Sequence, residues 1–293
     1  MIKAGHDYGT CTLTMLLIRQ HPASTWAGRY RRQMPEAPEK FNTAMTTWQE
    51  WQDAPWGRLR YSIAEANLLR HLDGLGGESL RVLDLAGGDA IRLAARGHHV
   101  TIVDYAPAML AAAAERAVAG GVTELINCVE ADATDLPHDF ANGEFDVVLC
   151  HNLLQYMDDV PGTLASALVP LKLGGLISVM AINRHSAPLN IAVREMDPAA
   201  ALAALKTDQA RTQMFNSALT LHTAEEIIPT LRKLGCRDIA HYGIRSFCDY
   251  ITDEARKHEP DFYADLERLE LATTARPPYM HTARLFQLTA WKP

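Results

Sequence analysis

Residues 82–104, VLDLAGGDAIRLAARGHHVTIVD, decide the fold. An apolar, β-branched run ends in Asp84, and Gly87-Gly88 follow at once. A helix-like segment over residues 90–96 leads to a second apolar run, residues 100–103, which ends in Asp104. This is a strand, glycine turn, helix, strand and acid in succession, the first half of a nucleotide-binding α/β sheet. The glycines let the backbone approach a ligand closely, and Asp104 is placed to accept both hydroxyls of a ribose. A nucleotide-type cofactor is implied.

The turn selects among such cofactors. A dinucleotide site needs G-x-G-x-x-G and a helix N-terminus aimed at pyrophosphate. Here the order is D-x-x-G-G, with Asp84 three residues before Gly87. A carboxylate beside pyrophosphate is repelled, whereas one beside an amino-acid ammonium is tolerated. S-adenosylmethionine (SAM) has a ribose, an adenine, a sulfonium and a methionine tail, and no phosphate. The pattern fits SAM better than a nicotinamide dinucleotide.

Further strands follow in order. Residues 125–129 read as a third strand, ahead of Ala131 and Asp132, where an acid or amide would meet the adenine amino group. Residues 145–150 form a fourth, ending at His151. Residues 168–173 read as the close of a helix, Gly174-Gly175 as a turn and residues 176–181 as a fifth strand. Strands alternating with helices predict a doubly wound, mostly parallel sheet. Ligands of such sheets sit at the carboxyl ends of the strands, where Asp84, Gly87, Asp104, Asp132 and His151 all fall.

With these motifs in place, the chain resembles the class I SAM-dependent methyltransferases. Within them it is most similar to the bacterial carboxymethoxyuridine tRNA methyltransferases and their small-molecule-modifying relatives. The similarity runs from about Phe41 to Pro293. It includes Leu59-Arg60, Val82-Leu83-Asp84, Gly87-Gly88, Arg96-Gly97-His98, Asp104 and His151, and two C-terminal pieces, residues 243–250 and residues 278–293 with Tyr279 and Arg284. The resemblance implies a seven-stranded Rossmann-like sheet and SAM as cofactor. It places Arg60, Gly87, Gly88, Asp104 and His151 around that cofactor, with Arg60 on the methionine carboxylate. A guanidinium can take a carboxylate bidentately.

This sequence also departs from the family. A third glycine is missing after the pair, and the unit is about three residues short, roughly one helical turn. Gln287 stands where the family has a histidine, and Leu173 replaces the proline before the later Gly-Gly.

The 293 residues carry 48% hydrophobic side chains and a net charge of −7, which argues against a broad nucleic-acid footprint. Five scattered cysteines without a C-x-x-C pair read as reduced thiols of a cytoplasmic protein. The twelve histidines show no metal spacing, so no metal is expected. No stretch is apolar for the roughly 18 residues a membrane helix needs, so no membrane partner is expected. Residues 1–40 read as a poorly structured extension and residues 41–293 as the methyltransferase domain. The aromatics Trp48, Trp51 and Trp56 lie in a helical entry and read as core.

Between about residues 184 and 222 the sheet pattern lapses, and Pro188, Pro198 and an alanine run predict a helical cap over the acceptor pocket. Thr223-Ala224-Glu225-Glu226 has capping-box spacing. Residues 239–247 and 285–291 read as the last two strands.

For chemistry, an activated methyl donor requires the protein chiefly to orient the acceptor. His151 is the leading candidate base, against a positioning role. Arg245, Tyr279 and Arg284 are candidate acceptor-binding residues, the arginines for an anion or for pairing with Asp249 or Glu270. Three functions remain open: methylation of a small molecule, esterification of a wobble-uridine carboxylate in tRNA, or a SAM-fold protein impaired in catalysis. Oligomeric state is left open.

Overall fold

The computed structural model describes residues 45–76, 79–86, 90–140, 143–212 and 217–293. The expected N-terminal extension (residues 1–40) and the glycine turn with Gly87, Gly88 and Asp89 lie outside the described residues.

Seven strands make one sheet in the order β3-β2-β1-β4-β5-β9-β8. They are β1 (Arg81–Leu85), β2 (His99–Asp104), β3 (Ile126–Glu130), β4 (Phe145–His151), β5 (Leu171–Ile182), β8 (Arg237–Ile244) and β9 (Leu285–Trp291). The first five are mutually parallel, and β9 runs antiparallel to both β5 and β8. This is the doubly wound, Rossmann-like sheet of the SAM methyltransferase fold.

Successive side chains of a strand point to opposite faces, and here both faces are covered. Leu83 and Leu85 of β1, Val103 of β2 and Val148 and Cys150 of β4 pack into one core layer. That layer includes α5 (Val160–Leu168) and α8 (Ala224–Lys233) through Leu164, Leu168, Ile227 and Leu231. Their alternates Val82, Val100, Ile102, Val147 and Leu149 pack the other way. There they meet α2 (Pro55–Leu72), α3 (Ile91–Ala94) and α4 (Pro107–Ala119) through Leu68, Leu72, Leu93 and Ala113. Near-continuous apolar strands are the sequence form of that double burial.

Two local expectations are corrected. Residues 168–173 do not close a helix: α5 stops at Leu168, Pro170 cannot donate to a further turn, and Leu171 already pairs with Phe145. β5 then runs through Gly174 at φ +71°, with a register shift against β4. The cap is not wholly helical. Besides α6 (Ser186–Asn190), a π turn over Ile191–Glu195 and α7 (Pro198–Ala204), it contains the antiparallel hairpin β6 (Gln209–Thr212) and β7 (Ser217–Thr220).

The chain order puts α1 (Met45–Asp53) and α2 ahead of the sheet, and α9 (Pro260–Thr273) and α10 (Tyr279–Thr282) between β8 and β9. Among the described residues no helix is long and apolar enough to cross a membrane, and no cluster of residues suits a metal ion. The four described cysteines, Cys128, Cys150, Cys236 and Cys248, are free.

Candidate functional site

The strand order reverses between β1 and β4, which opens a crevice at their carboxyl ends. Asp84 is fully buried there, and its Oδ2 accepts a hydrogen bond from the Ala90 amide at 3.1 Å. Ala86 leaves β1 at φ +59°, a left-handed conformation unusual for a residue with a Cβ. Its amide donates to the carbonyl of Val103 at 2.7 Å, so the start of the turn is held to β2.

Asp104 ends β2 with 5% exposure, and its Oδ1 accepts from the Ala106 amide at 2.8 Å. Burial pushes its carboxyl up to about 6, opposed in part by the amides of Ala106 and Tyr105. The amide of Ala131 donates to the Asp104 carbonyl at 3.2 Å. Asp132, exposed beyond β3, binds the amide and hydroxyl of Thr134 at 2.8 and 2.7 Å, a local turn.

A cavity of about 590 Å³ opens from this edge, lined on the near side by Arg60, Tyr61, Ala86, Met109 and His151. Arg60 rises from α2 with its guanidinium 4.7 Å from the ring centre of Trp51 and 4.4 Å from that of Tyr61. Stacking of a planar cation against two rings fixes its direction. Gly57 makes this possible: a Cβ there would collide with the carbonyls of Trp51 and Gln52, so only glycine lets α2 start so close to α1. Trp48, Trp51 and Trp56 all border the cavity and are not simply core. Of the three, Trp48 is the most buried, packed with Ala106, Met109 and Ala112. Helical spacing alone does not separate an aromatic that fills a core from one that walls a pocket.

His151 closes β4 with 1% exposure, its Nε2 2.8 Å from Ser178 Oγ. Tyr156, also at the cavity, has its hydroxyl pushed up to about 12 by burial and stays neutral.

The far side of the cavity is cationic. Arg245, at φ +62°, makes a bidentate pair with Asp249 at 2.7 and 2.6 Å. A third nitrogen of Arg245 donates to the Trp56 carbonyl. Arg284 approaches the same Asp249 at 3.9 Å and donates to Ser186 Oγ. Glu270 takes no arginine: its carboxylate accepts three successive amides, Ser246, Phe247 and Cys248, and so holds the segment that carries Arg245 and Asp249. Of the two pairing options for Arg245, the structure selects Asp249.

Arg194, Glu254 and Lys257 also line this chamber. Arg194 pairs with Glu254, and Lys257 lies within 3.1 Å of both Glu254 oxygens while only 1% exposed. The sequence analysis did not name Arg194, Glu254 or Lys257 as site residues, because such a charge reads as solvated until its surroundings are known. Five cations and two acids line the cavity in all, among the described residues. Tyr279 stands apart from the other candidates: it is 41% exposed, tilts against Phe247 at 5.4 Å and does not border the cavity.

Residues 83–179 match the family model described as "Methyltransferase domain". The chain carries a SAM-dependent methyltransferase domain. Over 241 residues the methyltransferase is 28% identical to the tRNA 5-carboxymethoxyuridine methyltransferase of Escherichia coli O157:H7, covering 81% of this chain and 89% of that one. A ubiquinone biosynthesis O-methyltransferase of Idiomarina loihiensis is 30% identical over 160 residues, 52% of this chain and 62% of that one. In fold it is similar to a SAM-dependent methyltransferase of Thermotoga maritima, with a TM-score of 0.55 at 16% identity, covering 87% of this chain and 99% of that one. The [4+2]-cyclase SpnF superposes with a TM-score of 0.52 at 21% identity over 78% and 80%. The fold is thus shared with an enzyme named for another reaction, and the acceptor chemistry has to be read from the cavity.

Proposed function

We propose that the methyltransferase esterifies a carboxylate, and that its acceptor is a compact acid rather than an extended polyanion. The cationic chamber carries this reading: Arg194, Arg245, Lys257 and Arg284 against Asp249 and Glu254 line the far side of the cavity, in a chain whose net charge is −7. Such a focus of positive charge selects an anion.

The residues at the strand edge fit SAM. Asp104 is a buried acid at the tip of β2, where a ribose would donate to it, and Arg60 is an oriented guanidinium for the methionine carboxylate. The turn of Asp84, Gly87 and Gly88 is assigned to the methionine amine, and Ala131 and Asp132 to the adenine. When bound, SAM supplies a methyl group already activated on a sulfonium. Arg245 and Arg284 hold the acceptor carboxylate, and Asp249 keeps the two guanidinium groups aligned. An ionised carboxylate has no proton to lose, so orientation alone suffices and His151 need not act as a base.

The cap supports a small acceptor. Arg194, Thr212 and Leu219 from residues 184–221 wall the cavity, and Lys257 turns inward. A second reading, esterification of carboxymethoxyuridine in tRNA, is favoured by the 28% identity spread over 89% of the tRNA-modifying relative. Either acceptor gives a methyl ester. The test incubates the protein with methyl-labelled SAM and either a panel of carboxylic acids or tRNA from cells lacking this modification, followed by mild alkali. Label released as methanol from the acid panel supports the proposal, and release from tRNA alone selects the second reading. Alkali-stable label overturns the ester chemistry in both. Absence of transfer with SAM bound leaves the catalytically impaired SAM-fold protein.

A further inference from the structure

A chain of buried amides and hydroxyls runs away from His151 through the sheet. Ser178 Oγ is 2.8 Å from His151 Nε2 and 3.0 Å from Gln287 Nε2. The same Gln287 nitrogen donates to the Ala64 carbonyl at 3.2 Å, and Gln287 Oε1 accepts from Asn67 Nδ2 at 3.0 Å. Asn67 Nδ2 also donates to Thr274 Oγ1, whose own hydrogen goes to the Gly243 carbonyl at 2.7 Å. Ser178, Gln287, Asn67 and Thr274 are all 0% exposed.

The direction of every bond in this chain is fixed by its two ends, because a backbone carbonyl can only accept. Turning Gln287 over would set its oxygen against the Ala64 carbonyl. Gln287 therefore donates one hydrogen to Ala64 and the other to Ser178. Ser178 Oγ has a single hydrogen left, and His151 Nε2 is its acceptor. If Nε2 carried a proton, the serine hydrogen would lose its acceptor at a fully buried position, a loss comparable to a whole hydrogen bond.

We infer that Gln287, acting through Ser178, is a positioning residue that fixes His151 as the Nδ1–H tautomer, so that Nδ1 is a hydrogen-bond donor and not a base. The sequence marked Gln287 only as a departure from the family pattern. The structure gives it a role that a neutral amide fills well, since one amide supplies both the two donors and the one acceptor that the network needs. The tautomer rests on this geometry alone. Its consequence for methyl transfer rests on the cofactor assignment above, where an already ionised acceptor needs no base.

The test is made on the full chain, labelled with ¹⁵N histidine and free of cofactor. Long-range ¹H–¹⁵N correlation distinguishes a protonated Nδ1 from a protonated Nε2, and the spectrum of His151→Gln identifies the His151 signals. The expected result is Nδ1–H in the wild type and a mixture of tautomers in Gln287→Met, which keeps the shape of the side chain and removes its donors. A protonated Nε2 in the wild type overturns the inference, as does an unmixed Nδ1–H in a Gln287→Met protein with native circular dichroism. If that variant does not fold, the wild-type spectrum decides alone. Because no cofactor is present, a protein that fails to bind SAM still gives this answer, so the two proposals fail separately.

Discussion

Asp104 combines a structural liability with its assigned function. Its carboxyl stands near 6 in the folded protein against an ordinary 3.8, because burial opposes the charge. The ionised form is thus disfavoured by folding: this group's contribution is unperturbed below about pH 4 and turns against stability as pH rises from there through 6. The difference corresponds to roughly 3 kcal/mol above pH 6. Asp104→Asn keeps an acceptor for the Ala106 amide and should raise the melting temperature at pH 8 while gaining little at pH 4, as read by thermal scans at both. Ribose hydroxyls donating to the carboxylate select its ionised form. SAM affinity should therefore be flat above pH 6 and fall by up to about tenfold per unit below it, in wild type and not in Asp104→Asn. A pH-independent wild-type affinity by calorimetry would remove Asp104 from the ribose site. At Arg60 the expectation is ligand-selective. Arg60→Ala should weaken SAM and S-adenosylhomocysteine by about 1.5–3 kcal/mol and leave 5′-methylthioadenosine, which lacks the carboxylate, unchanged. Equal losses for all three would show that the arginine only shapes the fold.

Among the described elements, α3 shares with α10 the shortest length of any α-helix. Four residues make a helix far too short to persist alone. It is held from below by Ile91, Leu93 and Ala94 in the core and from the side by Glu65 of α2. The buried Glu65 carboxylate receives Arg92 at 2.5 Å and Arg96 at 2.6 Å, one oxygen to each. One acid thus ties both ends of the shortened unit to the helix that carries Arg60. Glu65→Ala should lower stability by about 1–3 kcal/mol, seen as a reduced urea midpoint at constant m-value. It should also weaken SAM, because Ala90, which meets Asp84, immediately precedes α3. A lowered midpoint with unaltered SAM affinity would mean that α3 packs independently of the site.

For the whole molecule the contrast is between an acidic exterior and a cationic interior chamber. Field lines from four cations in a walled cavity are screened less than those of exposed charges, yet an anion must still approach through the salt solution. The KM for an anionic acceptor should rise with ionic strength while SAM affinity stays nearly constant. Lys257→Met, which leaves Glu254 paired with Arg194, should raise that KM about tenfold, near 1.4 kcal/mol, without altering SAM affinity. Steady-state kinetics and calorimetry on the same preparations separate the two effects, and a parallel loss of SAM binding would place Lys257 outside the acceptor chamber.

Sequence alone was sufficient for much that repeats or terminates locally, though not for residues 168–173, where the strand begins before the glycine pair. Apolar strands with acids at their tips, Asp84 and Asp104, and a capping box at Thr223 to Glu226 are short-range patterns, and the structure contains all of them. The doubly wound, mostly parallel character of the sheet was equally legible, because strands alternating with helices leave few topologies. Only the tertiary structure decided what meets across distance. Arg245 faces Asp249 and Glu270 faces three amides, a choice the spacing left open. Lys257 turns inward, Tyr279 faces outward, and Gln287 reaches Ser178 across 109 residues. The reason is physical. Strand and turn propensities act between neighbours along the chain, whereas the partner of a buried charge or amide is set by which segments the sheet brings side by side.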